Sequence, residues 1–151
     1  MTVQISNAEA DDANSLAEVC ALLGETNLPV EGVAAHFRHF LLARDDSRLT
    51  GCVGLEVYGE VALLRSLAVA PLQQKTGLGK QLTEQILKSA AASGAREVVL
   101  LTTTAADFFQ RHFGFEETTR NRYDALLADS PEWHLPRCSS AVCLRLTLEG
   151  K

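Results

Sequence analysis

The sequence predicts an α/β (α+β) protein: a mixed, mostly antiparallel sheet with helices on both of its faces. Three observations support this fold class. Short apolar runs of strand length alternate with segments of helical periodicity along the chain. The runs 40–44, 51–58 and 61–70 follow one another with only short turns between them, which is typical of an antiparallel meander. The run 98–101 is apolar without a break, as expected for a strand covered on both faces.

The N-terminal part of the chain predicts one strand followed by two helices. Residues 2–6 can form the strand, and Asp11 and Asp12 favour a helix start because their side chains can cap free backbone N–H groups. The apolar residues that follow recur at helical spacing: Leu16, Val19, Leu22 and Leu23. Gly24 ends this helix. A second amphipathic segment begins at residues 28–29 and carries apolar residues about one turn apart: Val33, Phe37 and Phe40.

The C-terminal part predicts two helices and three strands after the meander. Apolar residues recur at every fourth position of the segment 77–93, so this helix packs one face on the sheet: Leu78, Leu82, Ile86 and Ala90. The buried strand 98–101 and a helix over about 105–112 come next. Two final strands, 115–123 and 141–148, complete the predicted order β-α-α-β-β-β-α-β-α-β-β.

Length, composition and charge limit the function classes. A chain of 151 residues with 46% hydrophobic residues and no linker-like run is most simply one domain over residues 1–151. The net charge of −5, without clusters of Lys and Arg, argues against nucleic acid as a partner. The N-terminal residues lack the features of a leader segment, and no apolar run approaches membrane-spanning length. We therefore expect a cytoplasmic protein with no membrane partner.

The cysteines do not form a metal or redox motif. All four lack the Cys-x2-Cys spacing that zinc sites and redox centres use: Cys20, Cys52, Cys138 and Cys143. We therefore expect reduced thiols and no metal. The two final strands offer edges that can pair between subunits, so a homodimer is one expectation for the assembly.

The segment 63–80 has the pattern of an anion-binding loop. It passes from an apolar strand through a proline-marked turn to a Gly-x-Gly at the start of a predicted helix. Glycines let backbone N–H groups close on a ligand, and the helix start adds partial positive charge, so a pyrophosphate fits. The spacing of a P-loop is missing, and Leu82 stands where the dinucleotide fingerprint needs its third glycine. What remains is the pattern Gln74-x-x-Gly77-x-Gly79.

With this pattern the chain resembles the GCN5-related N-acetyltransferase (GNAT) family, whose pyrophosphate loop reads Gln/Arg-x-x-Gly-x-Gly/Ala. The segment 67–71 is similar to the family's central strand, and 96–103 is similar to the neighbouring strand. The segment 105–115 resembles the last helix of the family with its Gly-Phe ending. These pieces cover roughly residues 40–120.

The resemblance implies an enzyme that uses acetyl-CoA. In this family, backbone N–H groups after Gln74 would hold the pyrophosphate, and the strand 67–69 would pair with the pantetheine amides. The cofactor-binding residues implied in this way are Leu67, Ala68, Val69, Gln74, Lys75, Thr76, Gly77, Leu78, Gly79, Lys80, Phe108 and Arg111. The alternative for the loop is an ordinary turn with solvated lysines.

The acceptor side of the site is predicted from one hairpin. Acetyl transfer to an amine needs an unprotonated nitrogen, so a carboxylate or histidine is expected nearby. If residues 59–60 form a two-residue turn, Glu56, Tyr58 and Arg65 share one sheet face. Glu56 is then the predicted base, directly or through water, and Arg65 a bidentate anchor for a substrate carboxylate. Tyr58 and Glu31 are further predicted substrate contacts. The alternative is an ordinary cross-strand ion pair.

One position departs from the family pattern. Many members carry a tyrosine on the last helix as the acid that protonates the leaving thiolate, and here Phe109 or Gln110 takes that place. Solvent, the substrate ammonium or Tyr123 are the remaining proton sources.

The resulting hypothesis is a direct, sequential transfer of acetyl from acetyl-CoA to the primary amine of a small molecule. The segments 27–33, 64–69 and 101–109 resemble a GNAT subgroup named for arsenic-resistance operons, which implies an amino-acid-like acceptor. Two alternatives stay open: a non-catalytic acyl-CoA sensor, and an acetyltransferase for protein or peptide amines.

Overall fold

The computed structural model describes residues 3–135 and 140–148, and within them it shows one seven-stranded sheet and three α-helices. The strands are β1 (Val3–Asn7), β2 (Leu41–Asp45), β3 (Arg48–Tyr58), β4 (Val61–Val69), β5 (Glu97–Thr102), β6 (Glu116–Thr118) and β7 (Val142–Thr147). The helices are α1 (Ala13–Glu25), α2 (Leu78–Ala92) and α3 (Ala106–Phe113). Within the described parts of the chain, no helix combines the length and apolarity needed to cross a membrane.

The strands lie in the order β1-β2-β3-β4-β5-β7-β6. Only β4 and β5 run parallel, and every other pair of neighbours is antiparallel. The parallel pairing is short, because its register covers only residues 61–63 of β4 and 97–99 of β5. Beyond these residues the two strands no longer pair. The predicted mixed, mostly antiparallel sheet is therefore confirmed.

Helices cover both faces of the sheet, as predicted. The apolar stripe of α2 and the residue Phe109 of α3 pack on one face, against side chains that include Val53 and Leu55 of β3. The opposite face carries α1 and the segment 28–40 over one half of the sheet. The loop 123–133 covers the other half of that face. Helix α1 begins at Asp12, whose carboxylate accepts a hydrogen bond from the backbone N–H of Ser15 at 3.0 Å.

The predicted second helix is a series of turns that ends in one 3₁₀ turn, Phe37–His39. Asn27 and Gly32 have positive φ angles of 62° and 85°, which interrupt a helical path. The carbonyl groups of Pro29 and Glu31 accept hydrogen bonds from the side chain of Arg65. A long-range side-chain contact therefore takes the acceptors that a helix would have used.

The strand predicted over residues 115–123 is shorter than expected. It ends at Thr118, and a 3₁₀ turn, Arg120–Arg122, follows. Arg120 donates a hydrogen bond to the carbonyl of Trp133, and its guanidinium lies 5.1 Å from the centre of the indole ring. The chain leaves the sheet here because Arg120 bonds to the loop that covers the sheet.

Candidate functional site

A cavity of about 300 Å³ opens where β4 and β5 separate. One wall is the C-terminal half of β4, residues 64–69, and the opposite wall is the end of β5 with the turn after it, residues 100–105. The segment 26–29 and Phe109 contribute further surface. Arg65 and Glu132 are the two charged residues among the described residues that line this cavity.

A bulge in β4 shapes the cavity wall. Gly54 of β3 pairs with Arg65, whereas Cys52 pairs with Ala68, so Val53 stands opposite two residues of β4. Ser66, the first of these two, has a φ of 62°, in the left-handed region. The extra residue reverses the alternation of side chains, and Ala68 therefore packs in the α1 cluster while Val69 packs on the α2 side.

The loop from β4 to α2 is held in shape by its own side chains. The amide of Gln74 donates to the carbonyl of Val69 at 3.1 Å, and the hydroxyl of Thr76 donates to the carbonyl of Gln73 at 2.5 Å. Lys75 and Gly77 have φ angles of 68° and 88°. Gly77 is the N-cap residue that precedes α2, and the N–H groups of the first helical turn have no partner within the helix.

The start of α2 leaves space for a ligand. A Cβ atom added at Gly79 would lie 3.8 Å from Val69 and 4.0 Å from Phe108, so a larger side chain here would fill the space that borders these two residues. Free N–H groups, the positive end of the helix and the absence of a side chain at Gly79 together suit a pyrophosphate. The sequence and geometry of this loop therefore fit CoA.

The predicted cofactor residues divide into two groups. Four of them line the cavity: Leu67, Ala68, Val69 and Gln74. The others at the loop and helix start lie outside the lining: Lys75, Thr76, Gly77, Leu78, Gly79 and Lys80. The side chain of Leu78 is part of the core. Phe108 approaches the start of α2, whereas Arg111 is exposed and pairs with Asp107 at 3.4 Å.

The hairpin register matches the prediction from the sequence. Tyr58 pairs with Val61 and Glu56 with Leu63, so Glu56, Tyr58 and Arg65 share one face. The hydroxyl of Tyr58 donates to Glu56 Oε1 at 2.6 Å, and Arg65 Nη1 donates to Glu56 Oε2 at 2.6 Å. Burial and the carboxylate of Glu56 raise the pKa of Tyr58, which therefore remains protonated.

Arg65 connects four separate parts of the chain. Its Nη1 donates to the carbonyl of Glu31 at 2.6 Å as well as to Glu56, and its Nη2 donates to the carbonyl of Pro29 at 3.1 Å. Its Nε donates to the Ser66 hydroxyl at 2.9 Å and lies 3.5 Å from the carboxylate of Glu132. These contacts occupy four of the five guanidinium N–H groups, so the predicted bidentate grip on a substrate carboxylate does not fit this arrangement.

Glu56 does not reach the cavity. Its exposed fraction is 0%, both oxygens are held by Tyr58 and Arg65, and it is not among the lining residues. A direct role of Glu56 as the base therefore does not fit. The geometry allows the other form of the prediction, in which Glu56 acts on the acceptor through water. Glu31 is exposed and does not line the cavity, and its carbonyl accepts a hydrogen bond from Arg65.

The position of the family's acid holds no proton donor. Phe109 is buried and lines the cavity, while Gln110 is exposed outside the lining. The hydroxyl of Tyr123 donates to Glu97 at 2.7 Å, and Tyr123 is not a lining residue. Of the proton sources considered above for the leaving thiolate, solvent and the substrate ammonium remain.

Two cysteine thiols are unsuited to act as nucleophiles. Burial raises the pKa of Cys52 to about 12 and that of Cys143 to about 11. Cys20 is half-buried, and Cys138 lies outside the described residues.

Sequence reasoning missed Glu132 and the residues 102–104 in the cavity wall. The threonines directly follow a predicted buried strand, which is a position where functional residues concentrate, and this signal could have identified them. Glu132 follows Pro131 in a loop with no repeating pattern, so its position in the fold could not be read from the sequence.

Residues 36–117 match the family model described as an acetyltransferase (GNAT) domain. A protein of Chlorobaculum tepidum described as an uncharacterized N-acetyltransferase is 28% identical over 124 residues, and the alignment covers 79% of each chain.

Solved structures share the fold. N-acetylglutamate synthase from Neisseria gonorrhoeae, in complex with coenzyme A and N-acetyl-glutamate, aligns with 99% of this chain at 21% identity and a TM-score of 0.75. This chain spans only 36% of the length of that synthase. Rv2747 from Mycobacterium tuberculosis, in complex with CoA and NLQ, aligns over 97% of this chain and 99% of its own at 19% identity and a TM-score of 0.75. Since the family model covers more than half of the sequence, the chain belongs to the GNAT family and is an N-acetyltransferase domain that uses acetyl-CoA.

Proposed function

We propose that this protein transfers the acetyl group of acetyl-CoA directly to the primary amine of a small, amino-acid-like molecule. The observation that carries the proposal is the cavity between the separated ends of β4 and β5. It joins unpaired strand edges, which suit the amides of pantetheine, to an inner wall with the charged residues Arg65 and Glu132. A volume of about 300 Å³ is at the small end for ligand sites.

Residues on both sides of the loop have roles in holding the cofactor. The backbone of residues 67–69 offers the polar groups that β5 leaves unpaired, and the N–H groups at 75–80 offer donors to phosphate oxygens. Lys75 and Lys80 add favourable charge beside them. When bound, acetyl-CoA supplies the acetyl group as a thioester.

An amino-acid-like acceptor fits the charges of the inner wall. Arg65 has one N–H group left for a carboxylate oxygen, after its contacts with Pro29, Glu31, Glu56 and Ser66. Two of the structural neighbours that carry CoA also carry N-acetyl-glutamate in one case and NLQ in the other. These ligands support an acceptor of this class.

Direct transfer fits the two buried thiols that the structure describes. An acyl-enzyme would need an accessible thiolate, and Cys52 and Cys143 are buried with raised pKa values. Because its carboxylate is enclosed, Glu56 acts on the acceptor through water or through a side chain that lies against it, such as Arg65, Tyr58 or His36.

The test is release of CoA thiol from acetyl-CoA across a panel of amino acids, their decarboxylated amines and short peptides, beside a calorimetric titration of CoA. We expect thiol release that depends on amino acids and falls at least about 10-fold for amines that lack the carboxylate. Binding of CoA without release on any amine would support the sensor instead. Release that is largest with peptides would support a protein or peptide acceptor.

A further inference from the structure

We propose that Glu132 contacts the acceptor amine and accepts one of its protons. This inference rests on the proposed function and deepens it, because it assigns the amine-binding group of the same cavity. The proposal stands on the position of Glu132 in the cavity wall, the enclosure of Glu56, and the loop that holds Glu132 in place.

Glu132 is the acidic side chain that the cavity presents. Among the described residues that line the cavity, it alone carries a carboxylate. It is 5% exposed, and Oε1 lies 3.5 Å from Arg65 Nε. Glu56, by contrast, is 0% exposed, and its oxygen Oε2 lies 2.6 Å from Arg65 Nη1. Glu56 is thus the closer ion-pair partner of Arg65. Glu132, unlike Glu56, lines the cavity.

The loop that carries Glu132 is anchored on both sides of this residue. Trp133 is 1% exposed, and its indole N–H donates to Asp124 at 2.8 Å. The backbone N–H of Trp133 donates to the hydroxyl of the buried Ser130 at 3.3 Å. Pro131 packs against Gly32, where an added Cβ would lie 3.1 Å from the proline ring. A carboxylate on this anchored turn has a fixed position, as a catalytic group requires.

The chemistry needed at this end of the cavity is proton removal from an ammonium group. A carboxylate stabilises the ammonium by a charge-assisted hydrogen bond before the reaction. When the ammonium gives one proton to Glu132, the nitrogen keeps the electron pair of that N–H bond as its lone pair, and the carboxylate becomes a carboxylic acid. Glu132 then returns the proton to water. Arg65 lies beside Glu132 in the cavity wall, so its positive charge is available to attract the carboxylate of the same amino acid.

The experiment compares Glu132→Gln with Glu132→Asp and with the surface control Glu117→Gln. We expect Glu132→Gln to lower kcat/KM for the amino-acid acceptor by about 100-fold, with the loss growing as pH falls and more of the amine is protonated. Glu132→Asp keeps the carboxylate and should recover part of the rate. Glu117 is exposed on β6, and its variant should behave as wild type. Affinity for CoA should stay unchanged in all three variants, and all three should remain folded at the assay temperature.

Specific results would overturn the inference. Wild-type kinetics for Glu132→Gln at every pH would show that this carboxylate does not contact the amine, while the proposed function would stand. Equal losses in Glu132→Gln and Glu132→Asp, or a loss that follows a lower unfolding temperature, would assign Glu132 a structural role. Absence of thiol release by the wild-type protein with every amine would overturn the proposed function itself, and with it this inference.

Discussion

At the scale of residues, the centre of the site is the guanidinium of Arg65. Its pairing with Glu56 could be predicted, because a two-residue turn fixes which residues of a hairpin share a face. Its contacts with Pro29, Glu31 and Glu132 could not, since these residues come from segments far away in the sequence. The sequence therefore indicated the pair, and tertiary packing decided that Arg65 also holds the flanking loops.

We predict that Arg65→Met lowers the free energy of unfolding by about 3–5 kcal/mol, because it leaves the carboxylate of Glu56 buried without its counter-charge. The double variant Arg65→Met/Glu56→Gln should be more stable than Arg65→Met alone. The control is Arg111→Met, which removes an exposed pair with Asp107 and should change stability by less than about 0.5 kcal/mol. Urea unfolding measures all four proteins. Equal stabilities of Arg65→Met and the control would contradict this account of the ion pair.

At the scale of elements, strands and amphipathic helices with strong periodicity were predictable. The stripe on α2 and the meander of β2 to β4 have the predicted positions. The helix predicted for the segment 28–40 was wrong. Its apolar residues recur at helical spacing, but its backbone turns at Gly32. Its carbonyl groups bond to a side chain from another strand, and a local pattern contains no information on such a contact.

The loop between β4 and α2 gives a prediction for CoA binding. Gly79→Val should weaken CoA binding by at least about 10-fold, because the two γ carbons would fill the gap between α2, Val69 and Phe108. Gly24→Val is the matched control, since a Cβ at that glycine meets no atom within 4 Å and Gly24 does not line the cavity. Calorimetric titration measures both variants. Unchanged affinity in Gly79→Val would show that the pyrophosphate binds elsewhere.

At the scale of the whole molecule, the separation of β4 from β5 creates the site, and β7 holds the second half of the sheet together. Glu97 of β5 accepts hydrogen bonds from Arg145 of β7 and from Tyr123 of the covering loop, both at 2.7 Å. The family resemblance implied the sheet. The cluster of Glu97, Tyr123 and Arg145, by contrast, depends on β7 lying between β5 and β6. Sequence periodicity does not specify the order of strands in a sheet, so the cluster could not be predicted.

This cluster gives a prediction for the pH dependence of stability. Burial by itself raises the pKa of Glu97, but hydrogen bonds from Tyr123 and Arg145 outweigh it and bring the pKa below the ordinary value of 4.5. The ionised carboxylate therefore stabilises the fold above pH 4.5, and this stabilisation is lost as pH falls through the lower pKa of the folded state.

We expect the wild-type protein to lose this stability on acidification, and Glu97→Gln to show a flatter dependence below pH 4.5. Glu60→Gln is the control, because its pair with Arg96 is exposed. Urea unfolding at several pH values gives the comparison. Parallel pH dependences of wild type and Glu97→Gln would mean that the cluster does not hold the sheet in this way.

The most direct measurement of the central claim is a crystal structure of the protein with CoA and an amino acid that serves as acceptor. The account predicts the pyrophosphate at the N–H groups of residues 75–80, pantetheine between β4 and β5, and the acceptor amine within hydrogen-bond distance of Glu132. CoA bound outside this cavity, or an acceptor amine far from Glu132 and Arg65, would contradict it.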